Sequence, residues 1–89
     1  MRELIYILLK RELRDLALKT RYQYAFTQSR MAEFLCMSEH SYSEIETGVT
    51  SCGTVTAFLL VLAQEDPMVF LLHLKTEMDR IYEEEKQFV

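Results

Sequence analysis

The sequence predicts an all-α protein, and three observations support this fold class. Apolar side chains recur every three or four residues over most of the chain, which is the spacing of one helix face. No segment alternates apolar and polar residues for more than a few positions, as a half-buried strand would. Only two Gly and one Pro occur in 89 residues, so long helices meet few breakers.

The first helix is predicted from Arg2 to about Tyr22, a stretch that contains neither Gly nor Pro. Its apolar face is formed by residues that recur at three- and four-residue intervals, namely Leu4, Leu8, Leu9, Leu13, Leu16 and Ala17. This spacing predicts one long amphipathic helix.

Two short helices are predicted next, over residues 28–35 and 39–47. Thr27 and Ser38 precede them and are the residue types that cap helix N-termini. Gly48 follows the second of them and suits the left-handed position after a helix.

The C-terminal part is predicted to form a loop and two further helices. Residues 49–53 are small or β-branched and indicate the loop. Residues 54–63 are apolar on all sides, which predicts a central buried helix. Asp66 as N-cap and Pro67 at the first helical position begin a long fifth helix that continues to about Gln87.

Length and composition indicate one small domain over residues 1–89, because this chain is too short to build two cores. The longest apolar run is shorter than the roughly 18 to 20 residues that span a bilayer. The N-terminus is interrupted by charges and lacks the pattern of a secretory signal. We therefore expect a cytoplasmic protein without a membrane segment.

Cysteine, histidine and glycine patterns give no support for catalysis or for a cofactor. Cys36 and Cys52 cannot form a disulfide framework, and with His40 and His73 they match no zinc-binding spacing. Both cysteines are interpreted as small apolar fillers. No nucleophile, acid–base pair or Gly-rich phosphate loop is recognisable, so we expect neither an enzyme nor a metal or cofactor site.

Charge is distributed unevenly although the formal net charge is only −4. Residues 1–30 carry seven Lys or Arg against three Asp or Glu, a balance of +4, and residues 31–89 carry three against eleven, a balance of −8. This split excludes a uniformly basic nucleic-acid coat. The basic first helix offers counter-ions for a phosphate backbone, but a solvated helix face explains the same charges.

The two short helices and the three residues between them have the proportions of a helix-turn-helix. Thr27-Gln28, Met31-Ala32, Met37-Ser38 and Ile45-Glu46-x-Gly48 fall in register, without a gap, on the pattern of one family. Residues 27–48 thus resemble the helix-turn-helix of the phage Cro/repressor-type (XRE) family. The resemblance implies a five-helix lambda-repressor-like DNA-binding domain with a long C-terminal helix.

The resemblance also implies which residues would meet DNA. The exposed positions of the recognition helix, which reach base edges in the family, are Glu39, His40, Ser41 and Glu44. Gln28 matches the position whose amide bonds a phosphate, and the basic residues available for further backbone contacts are Arg14, Lys19, Arg21 and Arg30. Double-stranded DNA is therefore the expected partner.

This sequence departs from the family pattern in two places. No Arg or Lys lies between Ser38 and Lys75, so the recognition helix is acidic. Cys36 stands where the family commonly has Gly at the turn, and because a Cβ is unfavourable in the left-handed conformation we expect a right-handed turn there.

The fifth helix carries an apolar stripe that suggests a homodimer. The stripe residues, at intervals of three, four and three, are Leu71, Leu74, Met78 and Ile81. The same stripe can instead close the core of the domain against the first helix.

Two functional hypotheses follow. The first is a small sequence-specific transcriptional regulator that binds DNA as a homodimer. The alternative is a repressor-like protein-interaction module, such as an antirepressor, an antitoxin-like partner or an adaptor, that has lost its affinity for DNA.

Overall fold

The computed structural model describes residues 2–87, with the exception of the side chain of Gln87, and these residues form helices and turns without any strand. The helices are α1 (Arg2–Gln23), α2 (Gln28–Phe34), α3 (Glu39–Glu46), α4 (Thr54–Leu62) and α5 (Pro67–Gln87). The prediction of an all-α chain is confirmed, and each predicted helix agrees with an observed one to within one or two residues.

All three predicted N-caps are confirmed by their hydrogen bonds. The Thr27 hydroxyl oxygen accepts from the backbone N–H of Arg30 at 3.1 Å, and the Ser38 hydroxyl oxygen accepts from the N–H of Ser41 at 3.1 Å. Each bond satisfies a donor that the first helical turn would leave unpaired. Asp66 likewise accepts from the N–H of Met68 at 3.2 Å at the start of α5.

The first three helices end in the same left-handed motif. After α1, α2 and α3 the chain passes through Ala25, Cys36 and Gly48, whose φ values are 56°, 58° and 79°. At each end the next N–H reaches back five residues, as Met37 N–H does to the carbonyl oxygen of Ala32 at 2.9 Å. The expectation of a right-handed turn at Cys36 is therefore wrong, because these bonds to the end of α2 require the left-handed conformation.

The buried core is assembled mainly from α1, α2 and α3. Its largest cluster combines Leu16, Ala17, Met31, Ala32, Leu35, Tyr42 and Leu60. Ala32 lies where α2 meets α3 and is only 2% exposed, so a larger side chain there would separate the two helices. Helices α2 and α3 therefore share a small core.

Helix α4 is not the central buried helix that its composition predicts. Only Thr56 and Leu60 of α4 are buried, whereas Val55, Phe58 and Leu62 are 71%, 65% and 70% exposed. The inner face of α4 packs against α1, and no element of residues 2–87 covers its outer face. The interpretation of both cysteines as fillers is half correct, because Cys52 packs against the core but Cys36 is exposed.

Helix α5 packs along α1 and extends the molecule to 46 Å in its longest dimension. His73 Nε2 lies 3.1 Å from Glu12 Oε2, which ties the middle of the two helices together. A second tie joins α1 to the end of α4, where Gln64 Nε2 donates to the buried Thr20 hydroxyl at 2.8 Å. These contacts leave α3 on the side of α1 away from α5.

Candidate nucleic-acid interface

Helix α3 has one buried face and one exposed face, and the division follows its sequence. Tyr42, Ile45 and Glu46 are 0%, 3% and 7% exposed. Because 42 and 46 are one helical turn apart and 45 adjoins them, these three side chains point to the same side of α3. The opposite side of α3 consequently faces outward, on a helix that is anchored in the core by residues 42–46.

The four residues predicted to reach base edges are all accessible, and His40 and Glu44 lie on this outward side. Glu39, His40 and Ser41 are exposed and Glu44 is half-buried. His40 Nε2 lies 2.6 Å from Glu44 Oε1, one turn away on the same face. The Ser41 hydroxyl oxygen accepts from the Ser38 hydroxyl at 2.9 Å and so joins the cap of α3. The surface is therefore polar, ordered by local bonds and accessible, but it is not basic.

The buried carboxylate of Glu46 connects α1, α2 and α3. Arg21 Nε donates to Glu46 Oε2 at 2.6 Å, and Arg21 Nη2 donates to Glu46 Oε1 at 3.2 Å. Gln28 Nε2 donates to Oε1 at 2.9 Å, and the Tyr42 hydroxyl donates to Oε2. Arg14 Nε adds a bond of 2.7 Å to the backbone carbonyl oxygen of Glu46. A charge buried in this way is stable only because each oxygen has several donors.

The same contacts shift the pKa values of the groups involved. Burial by itself raises the pKa of Glu46, but hydrogen bonds from Arg21, Tyr42 and Gln28 outweigh it and hold that pKa below its ordinary value. The bond to Glu46 raises the pKa of Arg21, and burial together with the bond to Glu46 raises the pKa of Tyr42. At neutral pH the centre is therefore an ionised carboxylate with a charged guanidinium and neutral partners.

Three of the five residues predicted to contact phosphate belong to this centre. Gln28, Arg14 and Arg21 all donate to Glu46, and a further bond of 3.4 Å joins Arg21 Nη1 to the carbonyl oxygen of Phe26. Sequence reasoning assigned Glu46 only to the motif and missed that it is the common acceptor. Its position one turn after Tyr42 on the inward side of α3 is the signal that indicates burial.

The other two candidates for phosphate contacts lie elsewhere. Lys19 is exposed and lines a pocket between α1 and α5 with Asp66 and His73, on the side of α1 away from α3. Arg30 is exposed, pairs with Glu33 at 2.8 Å and lies over the ring of Phe26. The basic residues of α1 and α2 thus do not form one continuous surface beside α3.

The predicted dimerisation stripe divides into two parts. Leu71 is 42% exposed, whereas Leu74, Met78 and Ile81 are half-buried. Since α5 packs along α1, the distal part of the stripe already has an intramolecular neighbour. The exposed apolar surface of this region lies nearer the start of α5.

Among residues 2–87, no group of three or more His, Cys, Asp or Glu side chains is arranged to hold a metal ion. Cys36 and Cys52 are both free thiols, and burial raises the pKa of Cys52. No helix within residues 2–87 combines the length and the apolarity that crossing a membrane requires.

Comparison of the chain with protein-family models, with curated proteins and with solved structures finds no match. The geometry of the helices therefore carries the functional interpretation.

Proposed function

We propose that this protein binds double-stranded DNA through α2 and α3, as a regulator of the Cro/repressor type with a lambda-repressor-like arrangement of helices. The observation that carries the proposal is the outward face of α3. Glu39, His40 and Ser41 are exposed in the first turn of a helix whose second turn is fixed in the core by Tyr42 and Ile45. A rigid, exposed helix with polar side chains in its first two turns is the geometry that enters a major groove.

Each outward residue has a chemically reasonable partner on a base edge. His40 can donate to guanine N7 or O6, Ser41 can donate or accept, and Glu39 can accept from the amino group of cytosine. The contact of 2.6 Å between His40 Nε2 and Glu44 Oε1 places the imidazole ring beside one of the two carboxylates.

The Glu46 centre is compatible with a phosphate contact from Gln28. A side-chain amide has two N–H donors, and Gln28 uses one contact of 2.9 Å to Glu46. The carboxylate orients the amide and leaves the second N–H for an external acceptor. Arg14 and Arg21 are held on the same side of α1 by the same centre, and their positive charge favours a nearby phosphate.

A single copy would make few contacts, so the proposal includes a homodimer. Two copies related by a twofold axis would present two α3 helices to half-sites about one DNA turn apart, roughly 34 Å. Recognition would then favour a palindromic operator, and the phosphate contacts of both copies would contribute to the binding free energy.

Fluorescence anisotropy with labelled duplex from the region upstream of the gene tests this proposal against a duplex of random sequence. We expect saturable, sequence-selective binding that weakens steeply between about 50 and 200 mM salt. Changing His40→Ala should reduce the preference for the upstream duplex by about fivefold to a hundredfold, the usual value of one good base contact. His40 is 85% exposed, so this change should leave the fold intact.

Lys19→Ala is the matched control, because it removes a positive charge that lies on the side of α1 away from α3. This variant should keep the sequence preference and lose less than about threefold in affinity, since distant surface charges are screened by salt. Equal losses from His40→Ala and Lys19→Ala would contradict recognition by α3.

A protein-interaction module is the second candidate, and one observation favours it. Arg14, Arg21 and Gln28 donate to Glu46, while Glu39 and Glu44 leave the outward face of α3 acidic. Absence of DNA binding at about 50 mM salt, where phosphate contacts are strongest, would exclude the first proposal. The acidic face would then suit a basic surface on a protein partner.

A further inference from the structure

An apolar groove of about 610 Å³ lies between α1, α4 and α5. Its floor includes Leu9 and Leu13 of α1 and Phe70 and Leu74 of α5, and its edge includes Phe58 of α4. Lys10 is the only charged residue in its lining, within the described part of the chain. The function proposed above does not use this groove.

A ridge of apolar side chains stands beside the groove on α4. Val55, Phe58 and Leu62 follow one another at intervals of three and four residues and are 71%, 65% and 70% exposed. Phe58 and Leu62 also line the groove, so ridge and groove share one face of the molecule. In a twofold dimer the same patch faces itself, which means that each copy could insert its ridge into the groove of the other.

The charge distribution favours a second copy over a charged partner. Residues 47–64 contain no Asp, Glu, Lys or Arg, although the chain as a whole has a net charge of −4. Two copies that approach through an acidic surface would repel each other, whereas this face brings only Lys10 of each copy to the contact. A strongly acidic or basic partner would find only Lys10 to pair with along the groove.

The exposed area is close to what a stable dimer needs. The exposed large side chains of this face are Tyr6, Val55, Phe58, Leu62 and Leu71, with exposures between 42% and 71%. Side chains of this size present on the order of 150–200 Å² each when free, and aromatic ones up to about 250 Å², so together they offer on the order of 500–600 Å² per copy. A standard interface buries about 800 Å² per partner, including its polar rim.

We propose that this groove and the ridge of α4 form the interface of a symmetric dimer, with Phe58 and Leu62 of each copy inserted into the groove of its partner. The inference refines the proposed homodimer, but it does not depend on DNA binding. It moves the contact from the distal part of α5 to the surface that α4, the start of α5 and α1 share. Of the predicted stripe, only Leu71 and Leu74 line the groove.

Sedimentation equilibrium over about 1–200 µM protein, a range that covers weak to moderate association, tests the interface without DNA. The wild-type chain should approach twice its monomer mass of 10.6 kDa as its concentration rises. Phe58→Glu and Leu62→Glu should each raise the dimer dissociation constant at least about 30-fold, the effect of losing a central contact of 2 kcal/mol. Both residues are exposed in the monomer, so circular dichroism should show unchanged helix content.

Leu72→Glu is the matched control, since Leu72 is a 57% exposed leucine of α5 that does not line the groove. It should change the dissociation constant less than about threefold, as peripheral contacts do. Tyr82→Glu probes the distal part of α5, where Tyr82 is 42% exposed, and it should also leave the dimer intact.

Three outcomes would overturn the interface: a monomeric wild-type chain over the whole range, a dimer that survives both α4 substitutions, or a dimer that Tyr82→Glu dissociates. The last two would leave the proposed homodimer in place with a different contact surface. DNA affinity is measured separately, so sequence-selective binding by a monomer would overturn the interface and leave the DNA proposal standing.

Discussion

The α2–α3 pair and the α4–α5 pair use their apolar residues in opposite ways. The first pair, with the short turn between its helices, buries Met31, Ala32, Leu35, Tyr42 and Ile45, and its most exposed large apolar side chain is Phe34, at 41%. The second pair buries only Thr56 and Leu60, and none of the described side chains of α5 is fully buried. Yet α4 has seven apolar residues among nine, far more than α3.

This difference teaches that packing partners, rather than apolar content, decide where the core lies. The residues of α3 that carry the core lie on one side and meet both α1 and α2. Helix α4 meets α1 on one side and has no cover on the other among residues 2–87, so its remaining apolar residues face outward. Helix α3 mixes apolar and polar residues because one of its sides is buried and the other meets solvent. Helix α4 is almost uniformly apolar, which is typical of a helix whose exposed side is covered by a partner.

Truncation of α4 on its two sides gives the largest expected effect. Leu60 is 0% exposed, so Leu60→Ala should lower the free energy of unfolding by about 3 kcal/mol, within the usual 2–5 kcal/mol range. Leu62 is 70% exposed, and Leu62→Ala should change the free energy of unfolding by less than about 0.5 kcal/mol. Urea denaturation of dilute protein, below the concentration at which a dimer would cover Leu62, measures both values. Similar losses from the two variants would contradict the one-sided packing of α4.

The Glu46 centre predicts an acid-sensitive stability that belongs to the α2–α3 pair. The pKa of Glu46 is held below its ordinary value in the folded chain, so around that pH the unfolded chain binds more protons. Stability is therefore present above the ordinary carboxyl pKa of 4.5 and is lost as the pH falls through the lowered value. Glu46→Gln should be less stable than wild type by about 2 kcal/mol at pH 7, because the charge-assisted bonds are lost.

The difference in the free energy of unfolding between wild type and Glu46→Gln should become smaller as the pH falls from 5 toward 3. Protonation of Glu46 weakens the same bonds in the wild-type chain. Thermal unfolding monitored by circular dichroism across this pH range measures this difference. Asp79→Asn is the control in α5, where the pair of Lys75 and Asp79 is exposed and should contribute less than about 1 kcal/mol. A difference that stays constant from pH 7 to pH 3 would show that Glu46 does not supply the acid sensitivity.

Substitution at the left-handed residue Cys36 gives the smallest expected effect. Unlike the substitutions above, it should raise the free energy of unfolding. Cys36 is exposed and has φ 58°, a conformation that costs a residue with a Cβ about 1–2 kcal/mol. Cys36→Gly should raise the free energy of unfolding by about 0.5–1 kcal/mol, because the flexibility of Gly in the unfolded chain offsets part of the relief. Cys36→Ser keeps the Cβ and should give no gain in the same urea titration. A gain from Ser equal to that from Gly would assign the effect to the thiol rather than to the backbone.

Helix positions were predictable from sequence because their signals are local. The caps at Thr27 and Ser38 and the left-handed Gly48 each depend on residues within one turn of the helix end. The inward side of α3 was predictable for the same reason, since helical spacing relates Tyr42 to Ile45. The conformation of Cys36 was predicted incorrectly, because the hydrogen bonds that close the end of α2 outweigh the preference of a residue with a Cβ for the right-handed conformation.

The Glu46 centre was not predictable in the same way. Its donors Arg21 and Gln28 are 25 and 18 residues away in sequence, and no local pattern relates them to an acceptor on α3. Residues that appear as free cations and a free amide in the sequence are thus committed to an internal carboxylate. The expected phosphate contacts therefore change most, since Arg14, Arg21 and Gln28 are already bonded to Glu46.

The sequence by itself determined the helical class, the ends of the helices and the separation of basic and acidic segments, because propensity, capping and charge reside in neighbouring residues. Tertiary structure alone decided which apolar residues are buried, which cations remain available and where an open groove lies. Burial and ion pairing depend on which helices meet, and that depends on the whole set of contacts between α1 and the other helices.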